Sequence, residues 1–242
     1  MGLPAEDRLL LIEITNNFAR NADNAAKMKA LADVFAYLEE RIAERRAQPT
    51  GDVISRLIEA RFNDRPFTHD EVLKTCVTLL LAGLDTVAAL LGFVVAYLAH
   101  EPQQRAAIRA RGGQLAPVVE ELLRRFAVAN LGRRVARDFE LHGVTLKAGD
   151  RILLSTVLHN LDSDQFAEPM KIDFARGRIA HLTFGSGAHA CLGAYLARTE
   201  LGIFLEEWLK RIPDFEIAPG AQPASSSGGV DAVDLLPLRW TV

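Results

Sequence analysis

Apolar positions recur at the three-to-four-residue spacing of amphipathic helices over most of this chain. That spacing predicts helices over residues 5–20 and 25–47, the second ending in the charged run Glu39–Arg46 before Pro49-Thr50-Gly51. A short helix is expected over 51–62, and Asn63-Asp64-Arg65-Pro66 reads as a turn. A far more apolar segment follows, in which only Asp85 is charged between Cys76 and Ala99. Thr68-His69-Asp70-Glu71 has capping-box form and starts a helix near Thr68, which Glu101-Pro102 ends after His100. The helix 68–100 is long enough to span a bilayer. A carboxylate at its middle would be costly in lipid, however, and a helix through a globular core can be apolar all round. The expected reading is a long central helix of a globular protein, with no membrane span.

Pro102 opens a further helix that Gly112-Gly113 breaks, and Pro117 opens another over 117–126 containing VVEELLRRF. From Arg137 the period changes to two. Phe139, Leu141, Val144, Leu146, Ile152 and Leu154 alternate with polar residues around His142-Gly143 and Ala148-Gly149-Asp150, which predicts a small antiparallel sheet across 137–157. Residues 159–183 show little periodicity, a helix is expected over 192–210 before Pro213, 221–229 reads as a loop, and 230–240 as edge strands. No internal repeat and no linker interrupts this order. The fold class is mainly α with small antiparallel β-sheets, in one domain.

At 242 residues, 49% hydrophobic and 24% charged, the chain can bury a substantial core. A net charge of -3 gives no basic footprint for nucleic acid, and the runs Arg41–Arg46 and Arg105–Arg111 read as solvated helix faces. Two cysteines make no disulfide framework and fit a reducing cytoplasm. MGLPAEDRLLLIEI lacks a basic n-region, so no signal peptide is read.

The cysteines differ in setting. Cys76 lies inside the long helix and reads as a small buried hydrophobe. Cys191 lies in FGSGAHACLGAYLAR, residues 184–198, where glycines at 185, 187 and 193 permit unusual backbone geometry and the close approach of a flat ligand. A helix start just beyond it would favour the thiolate, which could attack a substrate or bind a metal. No second Cys or His stands at zinc-ligand spacing, and the register is not that of a dinucleotide-binding turn. A single thiolate with an open opposite face suits haem iron.

FGSGAHACLG meets every fixed position of Phe-Gly-x-Gly-x-His-x-Cys-x-Gly, and on this motif the chain resembles the cytochrome P450 family. Two further motifs stand in the family's order: Ala82-Gly83-Leu84-Asp85-Thr86 resembles its oxygen-activation segment, and Glu121-Leu122-Leu123-Arg124 its Glu-x-x-Arg pair. The endings RIPDFEIAPGAQ and PLRW are similar to the soluble bacterial camphor-hydroxylase type. Residues 1–8 resemble an internal stretch of that type, so residues 1–242 read as the C-terminal portion of a single P450 domain, N-terminally truncated.

The resemblance implies a role for each matched residue. Cys191 in the loop 184–193 would ligate the iron of haem b, with Gly185, Gly187, Gly193 and Phe184 shaping that side and Ala82 and Gly83 opening the other. His189 and Arg133 would hold the haem propionates. Asp85 and Thr86 would relay protons during oxygen activation; the Thr86 hydroxyl can reach back to the carbonyl of Ala82 and loosen the helix there. Glu121 and Arg124 are three apart on one helix face and, in the family, form a buried structural pair; without the resemblance they would read as a surface pair worth under about 1 kcal/mol. Thr78, Leu81, Ala129 and Val230 are candidates for the substrate pocket wall, and Arg176 and Arg178 for attracting an acidic ferredoxin. The implied activity is a cytoplasmic haem-thiolate monooxygenase that uses O2 and ferredoxin electrons to hydroxylate a small hydrophobic, terpenoid-like substrate. The alternative is a truncated, inactive remnant that binds haem weakly or not at all.

Overall fold

A computed structural model describes residues 1–177 and 179–241. The chain divides into two compact units, residues 1–85 and 86–242, with the division inside the long helix after Asp85.

In the first unit a 3-10 turn, Ala5–Asp7, leads into α1 (Arg8–Arg20), followed by α2 (Asn24–Ala47) and α3 (Val53–Glu59). Asp23 and Asp52 cap α2 and α3 by accepting the N–H groups of Ala25 and Ser55. The expected helix over 51–62 is shorter than predicted because Arg61–Phe62 (β1) instead pairs with Arg65–Pro66 (β2). Asn63 and Asp64 turn this hairpin at φ 49° and 62°, the left-handed pair of a two-residue turn. The next helix, α4 (His69–His100), starts on the predicted capping box: Thr68 Oγ1 accepts the Glu71 N–H at 3.2 Å, and Glu71 Oε2 accepts the Thr68 N–H at 2.8 Å. Val72, Cys76 and Leu80 of α4 join Leu11, Ile14, Val34, Leu38, Ile42 and Ile54 in one buried core.

The second unit continues α4 and adds α5 (Pro102–Arg109) and α6 (Ala116–Arg125), each with proline in its first turn. Four strands follow: β3 (Asn130–Arg134), β4 (Phe139–Leu141), β5 (Val144–Leu146) and β6 (Arg151–Ser155). β4 and β5 form the predicted hairpin, turned by His142 and Gly143 at φ 49° and 77°. β6 pairs antiparallel with β3, Arg133 facing Ile152. β3 is a strand the period-two pattern did not announce, since Asn-Leu-Gly-Arg-Arg has no alternation of apolar and polar residues. A one-turn helix, α7 (Thr156–Asn160), precedes an irregular stretch, and α8 (Ala194–Arg211) follows the cysteine loop. The remaining strands are β7 (Phe215–Ile217), β8 (Ala224–Ser226), β9 (Ala232–Leu235) and β10 (Leu238–Trp240). β8 lies within the segment expected to be a loop, and its pairing with β9 makes it a strand. Leu90, Val94 and Leu98 of α4 pack with Val118, Leu122, Leu201, Leu205 and Phe215 in the second core.

α4 is long and apolar enough to cross a membrane by length and composition. It sends buried side chains into the core of each unit. Between these stretches Ala82 and Gly83 are exposed.

Candidate functional site

The cysteine loop is locked by its own backbone. The Gly185 N–H donates to the Leu182 carbonyl and the Cys191 N–H to the Phe184 carbonyl, both at 2.8 Å. Gly185 and Gly187 hold φ of 66° and 65°, where a Cβ meets the backbone, and a 3-10 turn over Gly187–His189 carries the chain round to Cys191. Gly193 differs from the expectation that all three glycines need such freedom. Its φ is -81°, and it caps α8, where an added Cβ would sit 3.8 Å from the Cys191 sulfur. Cys191 is exposed, three residues ahead of the first residue of α8, whereas Cys76 is fully buried and its thiol pushed up to about 11 by burial. Leu131 of β3 closes on the loop: a Cβ at Gly185 would lie 3.8 Å from Leu131 Cδ1 and 3.7 Å from the His189 carbonyl oxygen. Arg133, two residues on, shares the strand face of Leu131, so β3 presents this arginine beside the loop. Arg133 and His189 are both exposed, and Arg133 Nη1 donates to the Gly132 carbonyl at 2.8 Å. Arg133 also lines a cavity of about 570 Å³ with Gly132, Arg134, Gly149, Arg151 and neighbours on the β3–β6 ribbon.

Behind the loop sits a fully buried ion pair. Glu121 and Arg124 are both 0% exposed, and Arg124 donates from Nε and Nη2 to the two Glu121 oxygens, each at 2.8 Å. Arg124 also donates to the carbonyls of Asn160, Pro169 and Lys171. Glu121 accepts further from the Asp173 N–H at 3.0 Å and from Arg176 Nε at 3.1 Å. Burial alone would raise the Glu121 carboxyl, but Arg124, the Asp173 N–H and Arg176 outweigh it and hold it below the usual carboxylate range. Arg176 is therefore not the free surface cation the sequence suggested. Its guanidinium is spent on Glu121 and on the carbonyls of Ala167, Glu168 and Lys171. Arg178 lies outside the described residues. Asn160 carries the network to the cysteine loop: its side chain donates to Thr183 Oγ1 and accepts the Leu182 N–H, both at 2.8 Å.

On α4, Asp85 is held by Arg20 of α1, Nη2 to Oδ1 at 2.6 Å, a partner that no motif indicated. The helix is a single α-helix from His69 to His100, so the loosening expected at 82–86 produces no change of helix type. Of the candidate wall residues, Thr78 is exposed with its hydroxyl bonded to the Lys74 carbonyl, and Leu81 packs on the first core. Ala129 and Val230 are brought together by an antiparallel bridge, which Asn130 N–H to Gly229 carbonyl and Asp231 N–H to Val128 carbonyl hold on either side.

The model of the family described as Cytochrome P450 matches residues 7–111 and 115–234. The chain belongs to the cytochrome P450 family. A probable cytochrome P450 127A1 of Sinorhizobium fredii is 39% identical over 218 residues, covering 90% of this chain and 53% of the relative. The crystal structure of CYP101J2 superposes with a TM-score of 0.90 at 37% identity, and that of CYP101C1 with 0.89 at 38%; each covers 99% of this chain, and 60% and 61% of those chains. The chain thus spans a little over half the length of the P450s it matches. Cytochromes P450 carry haem b, and the donor set here fits it. A single soft thiol stands exposed on a backbone-locked loop, with a histidine on the same loop and an arginine on the adjoining strand. Among the described residues no group of three or more His, Cys, Asp or Glu offers an alternative metal site.

Proposed function

We propose that this chain is the C-terminal portion of a single P450 domain working as a cytoplasmic haem-thiolate monooxygenase. It would hydroxylate a small hydrophobic, terpenoid-like molecule with O2 and electrons from an iron–sulfur ferredoxin. The carrying observation is Cys191: an exposed thiol whose loop is fixed at Phe184 and Gly185 and backed by the buried Glu121–Arg124–Asn160 network. Cys191 would ligate the haem, and Arg133 and His189 would hold its propionates through charge-assisted bonds. When bound, the haem supplies the oxygen-activating chemistry, which thiolate donation promotes.

The chain's own residues do the rest. The carboxyl of Asp85, steadied by Arg20, and the neighbouring hydroxyl of Thr86 move protons along α4. Ala129 and Val230, apolar and bridged, line the substrate and exclude water. With haem bound, Phe184 would limit the access of water to the sulfur.

The second reading is a remnant that holds haem weakly or not at all. Carbon monoxide added to the reduced protein separates the two. A red-shifted thiolate Soret band that Cys191→Ser abolishes supports the first reading. No haem, or a histidine-type band, supports the second.

A further inference from the structure

We propose that Glu120, His181 and Arg198 form a positioning set that fixes the entry segment of the cysteine loop, residues 181–185, and through it the place of Cys191. The proposal rests on the reading of Cys191 as the functional residue, and it adds to that reading the device that keeps the loop in register. The set joins three elements: Glu120 on α6, His181 in the irregular stretch and Arg198 on α8. Arg198 grips Glu120 with two nitrogens, Nε to Oε1 at 2.5 Å and Nη2 to Oε2 at 3.1 Å. His181 Nε2 meets Glu120 Oε2 at 3.2 Å, and His181 Nδ1 lies 3.3 Å from the Thr183 backbone nitrogen.

A backbone N–H can only donate, so Nδ1 must be the acceptor, and the ring proton sits on Nε2, pointing at the carboxylate. The imidazole is thereby fixed at both ends, and its side chain is only 3% exposed. Cζ of the same Arg198 stands over the Phe184 ring, 4.6 Å from its centre, and the tilted His181 ring packs with its centre 6.0 Å from that of Phe184. The Phe184 carbonyl in turn accepts the Cys191 N–H. Hydrogen bonds and ring contacts together therefore link α6 and α8, through His181 and Phe184, to the cysteine backbone.

A surface salt bridge would not be built this way. Arg198 is half-buried, pairs bidentately and stacks on an aromatic ring, an arrangement only a planar guanidinium can make. Thr183, flanked by these contacts, also donates its hydroxyl to the Leu123 carbonyl and accepts from Asn160. The entry segment is clamped from two sides, by the buried pair through Asn160 and by Glu120 through His181.

Hydrogen exchange of the full chain, followed by mass spectrometry, tests the assignment without relying on haem or turnover. Glu120→Gln removes the shared acceptor's charge while keeping its shape. It should speed exchange of the amides from Leu182 to Cys191 about tenfold, the factor that one lost charge-assisted hydrogen bond carries, while those around Leu201 and Leu205 in α8 stay unchanged. Arg198→Lys keeps the cation but loses the fork and the stack, and should reproduce the same loop-selective effect. Arg239→Gln, which breaks the exposed Arg239–Glu216 pair, should leave the loop alone. Unchanged loop exchange in Glu120→Gln, or a rise shared equally by the whole chain, would overturn the proposal. A chain that binds no haem yet shows the loop-selective rise loses the monooxygenase reading and keeps the positioning set.

Discussion

Removing Arg124 and removing Glu121 should not cost the same, because each leaves a different charge behind. Arg124→Ala deletes five hydrogen bonds, two to Glu121 and three to the carbonyls of Asn160, Pro169 and Lys171. Glu121 then keeps Arg176 and the Asp173 N–H, so its buried charge is still partly compensated. Breaking a fully buried pair costs about 3–5 kcal/mol, and the retained Arg176 places this variant at about 3. Glu121→Gln instead leaves Arg124, with no exposed surface, and Arg176 facing each other with no carboxylate between them. That substitution belongs at about 5 kcal/mol or beyond. For a chain of this size the two values correspond to Tm losses of about 6–12 °C and 10–20 °C. Urea unfolding followed by far-UV circular dichroism, comparing midpoints at a common slope, reads both values. An Arg124→Ala loss near that of an exposed pair, under about 1 kcal/mol, would refute the buried network. A larger loss for Arg124→Ala than for Glu121→Gln would refute Arg176 as the second counter-ion.

Two further outcomes follow from the same structure. Bonds from His181, opposed by burial and reinforced by Arg198, hold the Glu120 carboxyl down at about 2 against a usual 4.5. Asp52 sits at about 2 against 3.8, because the Ser55 N–H and Arg45 outweigh the upward push of burial. The unfolded chain binds more protons than the folded one between these values, so stability is complete above pH about 4.5 and falls as the pH drops toward about 2. Unfolding midpoints at pH 6, 4 and 3 should trace this fall, and Glu120→Gln should make it shallower; an identical slope in the variant would remove Glu120 from the acid response. On the proposed monooxygenase reading, the haem-loaded Thr86→Ala chain should go on consuming oxygen while more of it appears as peroxide and less as product. Unchanged coupling of oxygen to product would take Thr86 out of the proton path.

What could be read from the chain alone was whatever neighbours in sequence decide among themselves. The capping box of Thr68 and Glu71 closes over three residues, the two-residue turns at Asn63-Asp64 and His142-Gly143 depend on their own φ angles, and FGSGAHACLG builds its loop within ten residues. The helices followed for the same reason, since their bonds and apolar stripes repeat every three or four positions. β3 and β8 escaped because a strand without alternation is made by its partner, and for β3 that partner, β6, lies some twenty residues on. The partners of the candidate residues escaped more completely. Arg20 reaches Asp85 across 65 positions, Arg176 reaches Glu121 across 55, and Arg198 reaches Glu120 across 78. An ion pair at such separations depends on where two segments come to rest, and packing decides that. The sequence by itself named the thiol and the loop that carries it; only the tertiary structure decided which charges brace that loop, because burial, and not residue type, turns a common salt bridge into a fixed support.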